Sequence, residues 1–178
     1  MFARSLRGLF LLLFLALAGC AGSRSAGSET TVYLVRHGEK DLAPGLTDPL
    51  LTPAGEQRAL ALRDELGQRR IAAIFTTDTK RTRATVAPLA AKLSLTPLVY
   101  SAKDQAALAA QIRRDYAGKA VLVVGHSNTI LEMVEALGAA RPVSSIADAA
   151  HDYLLEVRVP AAGSPTATAR RYGAPSPK

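Results

Sequence analysis

Short apolar runs alternate with helix-patterned segments four times along this chain, and few architectures accommodate that rhythm. Thr31 to Val35 is β-branched and aromatic and reads as a strand. Residues 38–51 carry two prolines and two glycines and read as loop. Thr52-Pro53 opens a helix: a capping hydroxyl, then proline at the first helical position. Ala59, Leu62 and Leu66 follow at helical spacing. Ile71 to Phe75 is a second strand, and Asp78 is expected to cap a helix carrying Val86, Leu89 and Leu93 on one face. Pro88 should kink or shorten that helix. Thr96 to Tyr100 is a weaker strand, and Asp104 can cap a third helix with Leu108, Ile112 and Tyr116. Ala120 to Val124 is the most apolar strand and is predicted to be central. A helix from Asn128 to Leu137 stops at Gly138, and strands are expected at 153–159 and 168–172. The expectation is a single-domain α/β/α sandwich around a largely parallel sheet, which a chain of 178 residues can fill. No solenoid repeat and no second domain is visible.

Two of these strands end alike. "VYLVRHG" at 32–38 is echoed by "VLVVGHS" at 121–127, each an apolar run that stops just before a histidine. Strand ends of one polarity lie along one edge of a parallel sheet, the edge where α/β folds bind ligands. His37 and His126 therefore share a crevice if their strands are neighbours. The second strand delivers Arg81 and Arg83 on the first turn of the next helix. At helical period Arg81 lies with Thr77 and Thr85 on one face, while Arg83 points elsewhere. Two imidazoles with Arg36 and Arg81 repel cations but suit a phosphate dianion, because arginine offers a planar fork of donors to its oxygens. Helix N-termini after Asp78 and Ser127 would add positive potential, and Gly38 lets backbone approach closely.

These segments carry a resemblance. Arg36-His37-Gly38-Glu39, Thr77 to Arg81 with Thr85, and Gly125-His126-Ser127 resemble the three signature segments of the histidine phosphatase (phosphoglycerate mutase-like) superfamily. The short chain is most similar to the small bacterial branch that includes the phosphohistidine phosphatase SixA. The resemblance implies that His37 is a nucleophile that becomes phosphorylated and is freed by water. It implies that Arg36, Arg81 and His126 clamp the phosphoryl group, with no metal and no cofactor. Many relatives take the leaving group's proton from a carboxylate between the second and third segments, which puts Asp104 forward as that acid. Asp104 also reads as a plain helix cap, the two roles not being exclusive. Glu39, Arg83 and Asn128 are candidates for the layer behind the clamp. Against that, Glu39 and Lys40 read as solvated loop, Arg83 as surface and Asn128 as a helix-stabilising residue. His151, beside Asp152 at the start of a late strand, reads as structural.

The N-terminal residues predict location. Arg4 and Arg7 precede an apolar stretch from Leu9 to Ala18, short for a bilayer span, then Gly19-Cys20. Leu17-Ala18-Gly19-Cys20 resembles a bacterial lipobox. It implies a signal peptide over 1–19, lipid on Cys20, a flexible tether over 20–30 and a folded domain over 31–172. Residues 173–178 read as a disordered tail. Alanine rather than aspartate at position 21 points to the outer membrane, facing the periplasm. Cleavage would lower the formal net charge of +7 by two and would leave the domain without cysteine, which excludes a thiol nucleophile and thiolate metal sites. The sequence pI of about 9.9 would fit nucleic acid, but the basic residues are scattered with no basic-aromatic stripe.

The sequence thus supports a lipid-anchored phosphomonoesterase. A protein phosphohistidine phosphatase and a non-catalytic phosphate-binding lipoprotein remain as alternatives, with a structural envelope protein behind them. The expected partners are a phosphorylated small molecule or phosphoprotein, and the membrane through Cys20.

Overall fold

The computed structural model describes residues 29–177. The signal segment, Cys20 and all but the last two residues of the tether lie outside that range. Ten elements follow in order: β1 (Thr30–Arg36), α1 (Pro53–Leu66), β2 (Ile71–Thr76), α2 (Lys80–Leu93), β3 (Leu98–Val99), α3 (Gln105–Asp115), β4 (Ala120–Gly125), α4 (Thr129–Ala136), β5 (Tyr153–Val159) and β6 (Thr166–Arg171). They build one six-stranded sheet in the order β3-β2-β4-β1-β5-β6.

Alternation along the inner strands explains the three layers. Val32 and Leu34 of β1 and Val121 and Val123 of β4 pack on the α3 and α4 side. Their neighbours Tyr33, Val35, Leu122 and Val124 pack on the α1 and α2 side. Successive side chains of a strand point to opposite faces, so these runs, apolar at every position, need cover on both. Fully burying each such side chain is worth about 1.5–3 kcal/mol. That burial, more than helix propensity, holds the layers together.

The sheet is mixed, which corrects the expectation of a largely parallel one. β3, β2, β4 and β1 run parallel. β5 is antiparallel to β1, and β6 to β5. For β6 the cause is connection length. A parallel crossover takes about a dozen residues, and the 160–165 turn between β5 and β6 is too short for one.

Helix starts follow hydroxyl chemistry. Thr52 caps α1 by accepting from the Gly55 amide, as expected. α2 is capped by Thr79 and not by Asp78, which pairs with Arg83 on the surface. Pro88 lies inside α2 without ending it. Gly138, at φ 79°, stops the chain just past α4, as a left-handed residue there should. The expected disordered tail is instead docked over residues 173–177. The Ser176 amide donates to Asp152, the His151 amide donates to the Ser176 hydroxyl, and Arg58 donates to the Ala174 carbonyl. Apolar contact was not what the sequence lacked there: polar bonds hold this segment, and they leave no hydrophobic pattern to read.

Candidate active site

The register of the two central strands creates the site. Arg36 on β1 pairs with Gly125 on β4, and the His37 amide donates to the Gly125 carbonyl at 3.1 Å. The next residue on each strand is a histidine, so His37 and His126 meet edge to face with ring centroids 5.5 Å apart. The β2–β4 pairing of Thr76 with Val124 brings Thr77 alongside, and its hydroxyl lies 3.1 Å from His126 Nε2. Thr77 is itself held by Thr82, which also bonds Thr79 at the start of α2.

His37 is 2% exposed and its protonation is set by one bond. Nδ1 lies 2.8 Å from the Gly38 carbonyl. A carbonyl only accepts, so Nδ1 carries the hydrogen and Nε2 keeps its lone pair. Burial, with further contributions from the charges of Arg36, Arg81 and His126, pushes the His37 imidazole down to about 3 despite the opposing bond to Gly38. The His126 ring is pushed down to about 4, first by burial, then by Arg81, Arg36 and Lys40. Both rings are uncharged at neutral pH.

Both guanidiniums lie near enough to act on the two rings. Arg36 is 5% exposed, and its Nη1 donates to the carbonyls of Ala147 and Asp148. Its Nη2 faces the Asp148 carboxylate at 3.7 Å. Burial lowers its pKa and Asp148 opposes that shift. Arg81 leans on Asp48, Nη1 to Oδ1 3.5 Å, and Asp48 also accepts from the Lys80 amide. Arg36 Nε and Arg81 Nε are buried and have no hydrogen-bond partner among the described residues. Buried donors are nearly always paired, so two unpaired guanidinium donors beside two neutral imidazoles mark a place for acceptors. Thr85 fixes the loop between them by accepting from the Gly38 amide.

Other expected residues are placed differently. Asp104 caps α3 by accepting from the Ala107 amide and is exposed. It lines a surface depression with Tyr100 and Gln111 and makes no hydrogen bond to Arg36, His37, Arg81 or His126. Arg83 is a surface partner of Asp78. Asn128 makes no capping bond. The Thr129 hydroxyl accepts from the His126 amide instead, and Asn128 only approaches Glu132 at 3.5 Å.

Glu39 is not solvated loop. Arg58 grips it through Nε, at 3.0 and 2.9 Å from the two carboxylate oxygens, and through Nη2 at 2.6 Å. Burial would raise the Glu39 pKa, but the Arg58 bonds outweigh it and hold the carboxyl below its usual range. His151, read from sequence as structural, stands beside His37. Its Nδ1 donates to the His37 carbonyl at 2.8 Å, with ring centroids 5.5 Å apart. A cleft of about 500 Å³ opens next to these groups, lined by Arg36, Lys40, Leu42, Asp148, His151 and Pro177 among others. Among the described residues, no group of three or more His, Cys, Asp or Glu side chains is placed to hold a metal ion.

Residues 32–103 match the family model of the histidine phosphatase superfamily (branch 1). That segment holds Arg36, His37 and Arg81 but stops before His126, which the sheet supplies. The fold is of the histidine phosphatase type. A solved structure of the protein histidine phosphatase SixA complexed with tungstate is similar at a TM-score of 0.60 and 19% identity, over 82% of this chain and 97% of that one. A mycobacterial glucosyl-3-phosphoglycerate phosphatase is similar at 0.59 and 16%, over 73% and 90%. A structure described as mycobacterial hydrolase 2 gives 0.59 and 16%, over 84% and 93%. No curated protein matches the chain by sequence.

The neutral imidazoles predict an acid sensitivity. The unfolded chain takes up protons near the ordinary imidazole value of about 6.5, while the folded state refuses them. Stability is therefore complete above that pH and falls as pH drops from about 6.5 towards 4, by about 1.4 kcal/mol per pH unit for a fully depressed imidazole. His126, which is half-exposed, contributes less than His37. Urea midpoints measured across this range should fall steadily, and His37→Ala should flatten the slope.

Proposed function

We propose that this protein is a phosphomonoester hydrolase that works through a phosphohistidine on His37. One observation carries the reading: a buried imidazole with its Nε2 lone pair free sits among two arginines whose Nε donors lack partners. The phosphoryl group of the substrate enters between Arg36, Arg81 and His126. His37 Nε2 attacks phosphorus in line with the departing ester oxygen, and the positive charge that develops on the ring is shared through Nδ1–H with the Gly38 carbonyl. Water then attacks the phosphohistidine from the vacated side. The arginines hold the charge that spreads over the phosphoryl oxygens, which is where most of the rate enhancement of such reactions originates. Splitting hydrolysis into two transfers lowers each barrier.

The site is placed at the cell envelope on sequence grounds: a signal segment over 1–19, lipid on Cys20, a tether to residue 30 and a domain on the periplasmic face of the outer membrane. Globomycin-sensitive processing of the expressed precursor, and loss of membrane association in Cys20→Ala, would test that part by itself.

The chemistry is tested by p-nitrophenyl phosphate turnover in the presence of EDTA. Retained turnover with micromolar vanadate inhibition supports the reading. Tight vanadate binding without turnover would instead make the protein a phosphate-binding lipoprotein, and loss of activity to EDTA would make it a metallophosphatase. The placement of Asp104 outside the site favours one rival, a phosphohistidine phosphatase, whose leaving group departs more readily than an alkoxide. A phosphohistidine peptide turned over far faster than any phosphomonoester would establish that rival.

A further inference from the structure

The proposed ester hydrolysis lacks a proton donor once Asp104 is excluded, and the inference here rests on that reading. Three carboxylates stand near the clamp. Glu39 is taken up by Arg58. Asp48 spends its oxygens on the Lys80 amide and on Arg81, behind the arginine. Asp148 differs from both. Its side chain is 97% exposed, it lines the cleft beside Arg36, and its Oδ1 lies 3.7 Å from Arg36 Nη2 and 3.4 Å from the Ser127 hydroxyl, next to His126.

The geometry points to Asp148 as the catalytic acid and base of the ester reaction. Its backbone is pinned, because Arg36 Nη1 donates to the Ala147 and Asp148 carbonyls at 3.0 and 2.6 Å. The same guanidinium that binds the phosphoryl oxygens thus fixes the reach of the carboxyl, and the cleft it lines is the space next to the clamp where an ester's leaving group can sit.

In the first step the His37 Nε2–P bond forms, the P–O ester bond breaks, and the proton of the Asp148 carboxyl passes to the departing oxygen. In the second, a water oxygen bonds to phosphorus as the N–P bond breaks, and its proton returns to Asp148. Alcohol and phosphate leave, and the protein is restored. The charged and titratable groups around this carboxyl are Arg36, Lys40, Glu39 and His151 on the cleft wall, with Ser127 as a neutral hydrogen-bond donor.

The test compares two esters with the purified protein and Asp148→Asn, which keeps the backbone carbonyl that Arg36 uses. p-Nitrophenolate leaves without a proton, whereas the alkoxide of glycerol 2-phosphate does not. The expected result is a fall in kcat/KM, which reads the phosphorylation step alone, of about 100-fold for glycerol 2-phosphate and about 3-fold or less for p-nitrophenyl phosphate. Equal losses of kcat/KM on both esters would show that Asp148 only positions Arg36, and unchanged kinetics would show that it does nothing; either overturns the assignment. Absence of turnover by the unmodified protein on both esters would instead defeat the hydrolase reading itself.

Discussion

His37→Ala is expected to lower kcat/KM for p-nitrophenyl phosphate by about 10⁴-fold or more, the scale seen when a covalent nucleophile is removed. The size follows from the order of events. Arg36, Arg81 and His126 can still collect the phosphoryl group, so vanadate and phosphate affinity should change little. What disappears is the low-barrier route through an intermediate. The protein should also stop acquiring acid-labile, alkali-stable label from a ³²P-phosphoryl donor. Because the ring is buried and uncharged, its removal leaves no orphaned charge, and the variant should fold. A residual rate within about tenfold of the unmodified protein would mean that water attacks phosphorus directly and that the imidazole is only part of the cradle.

Arg58→Ala carries the second large effect, on stability. Arg58 is 4% exposed and binds both oxygens of Glu39, the Tyr172 carbonyl and the Ala174 carbonyl, with its guanidinium 5.7 Å from the centre of the Tyr172 ring. Removing one member of a buried pair typically costs about 3–5 kcal/mol, because the other charge is left behind. For a domain of this size that corresponds to a fall of about 10 °C in Tm. Glu39→Gln combined with Arg58→Met should recover part of the loss, since no charge then remains unpaired. The linkage sign adds a check. Glu39 titrates below its ordinary range in the folded state, so its contribution is present above about pH 4.3 and is lost as pH falls through the folded value. That acid-side loss should be weaker in the double variant. If Arg58→Ala melts within about 2 °C of the unmodified protein, the tail and loop are not tied as described.

Much of this arrangement was legible because it rests on pattern. The alternation of apolar runs with helical periods identified every element, and the echo between residues 32–38 and 121–127 placed two histidines at one sheet edge. Arg81 against Arg83 was decided by helical phase alone. What escaped prediction depends on long-range placement. Arg58 lies on α1 in a stretch that reads as an ordinary charged helix, and its burial shows only when Glu39 and the C-terminal segment close over it. A signal was present: an arginine one residue before buried Ala59, facing inward on the apolar side of the helix. His151 and Asp148 come from the loop before β5, which has no periodicity to read, and they reach the site only because β5 pairs with β1. Asp104 takes the capping role that the sequence also allowed it. Sequence order placed it where an acid could fall, after the edge strand β3, which is just two residues long; its carboxylate there accepts from the Ala107 amide and lines a surface depression.

The close approach of two glycines sets a further limit. A Cβ on Gly38 would sit 2.8 Å from the Gly55 carbonyl oxygen, and one on Gly55 would sit 2.1 Å from the Glu39 carbonyl oxygen. Loop and helix are therefore in backbone contact next to the His37 imidazole. Side chains in such a seam could give way by changing rotamer, but two main chains in contact have no comparable freedom. The protein's tolerance of new substrates must then come from the far wall of the cleft, around Leu42, Ala149 and Pro177, and directed evolution of this scaffold should accumulate its gains there while residues 38 and 55 stay fixed.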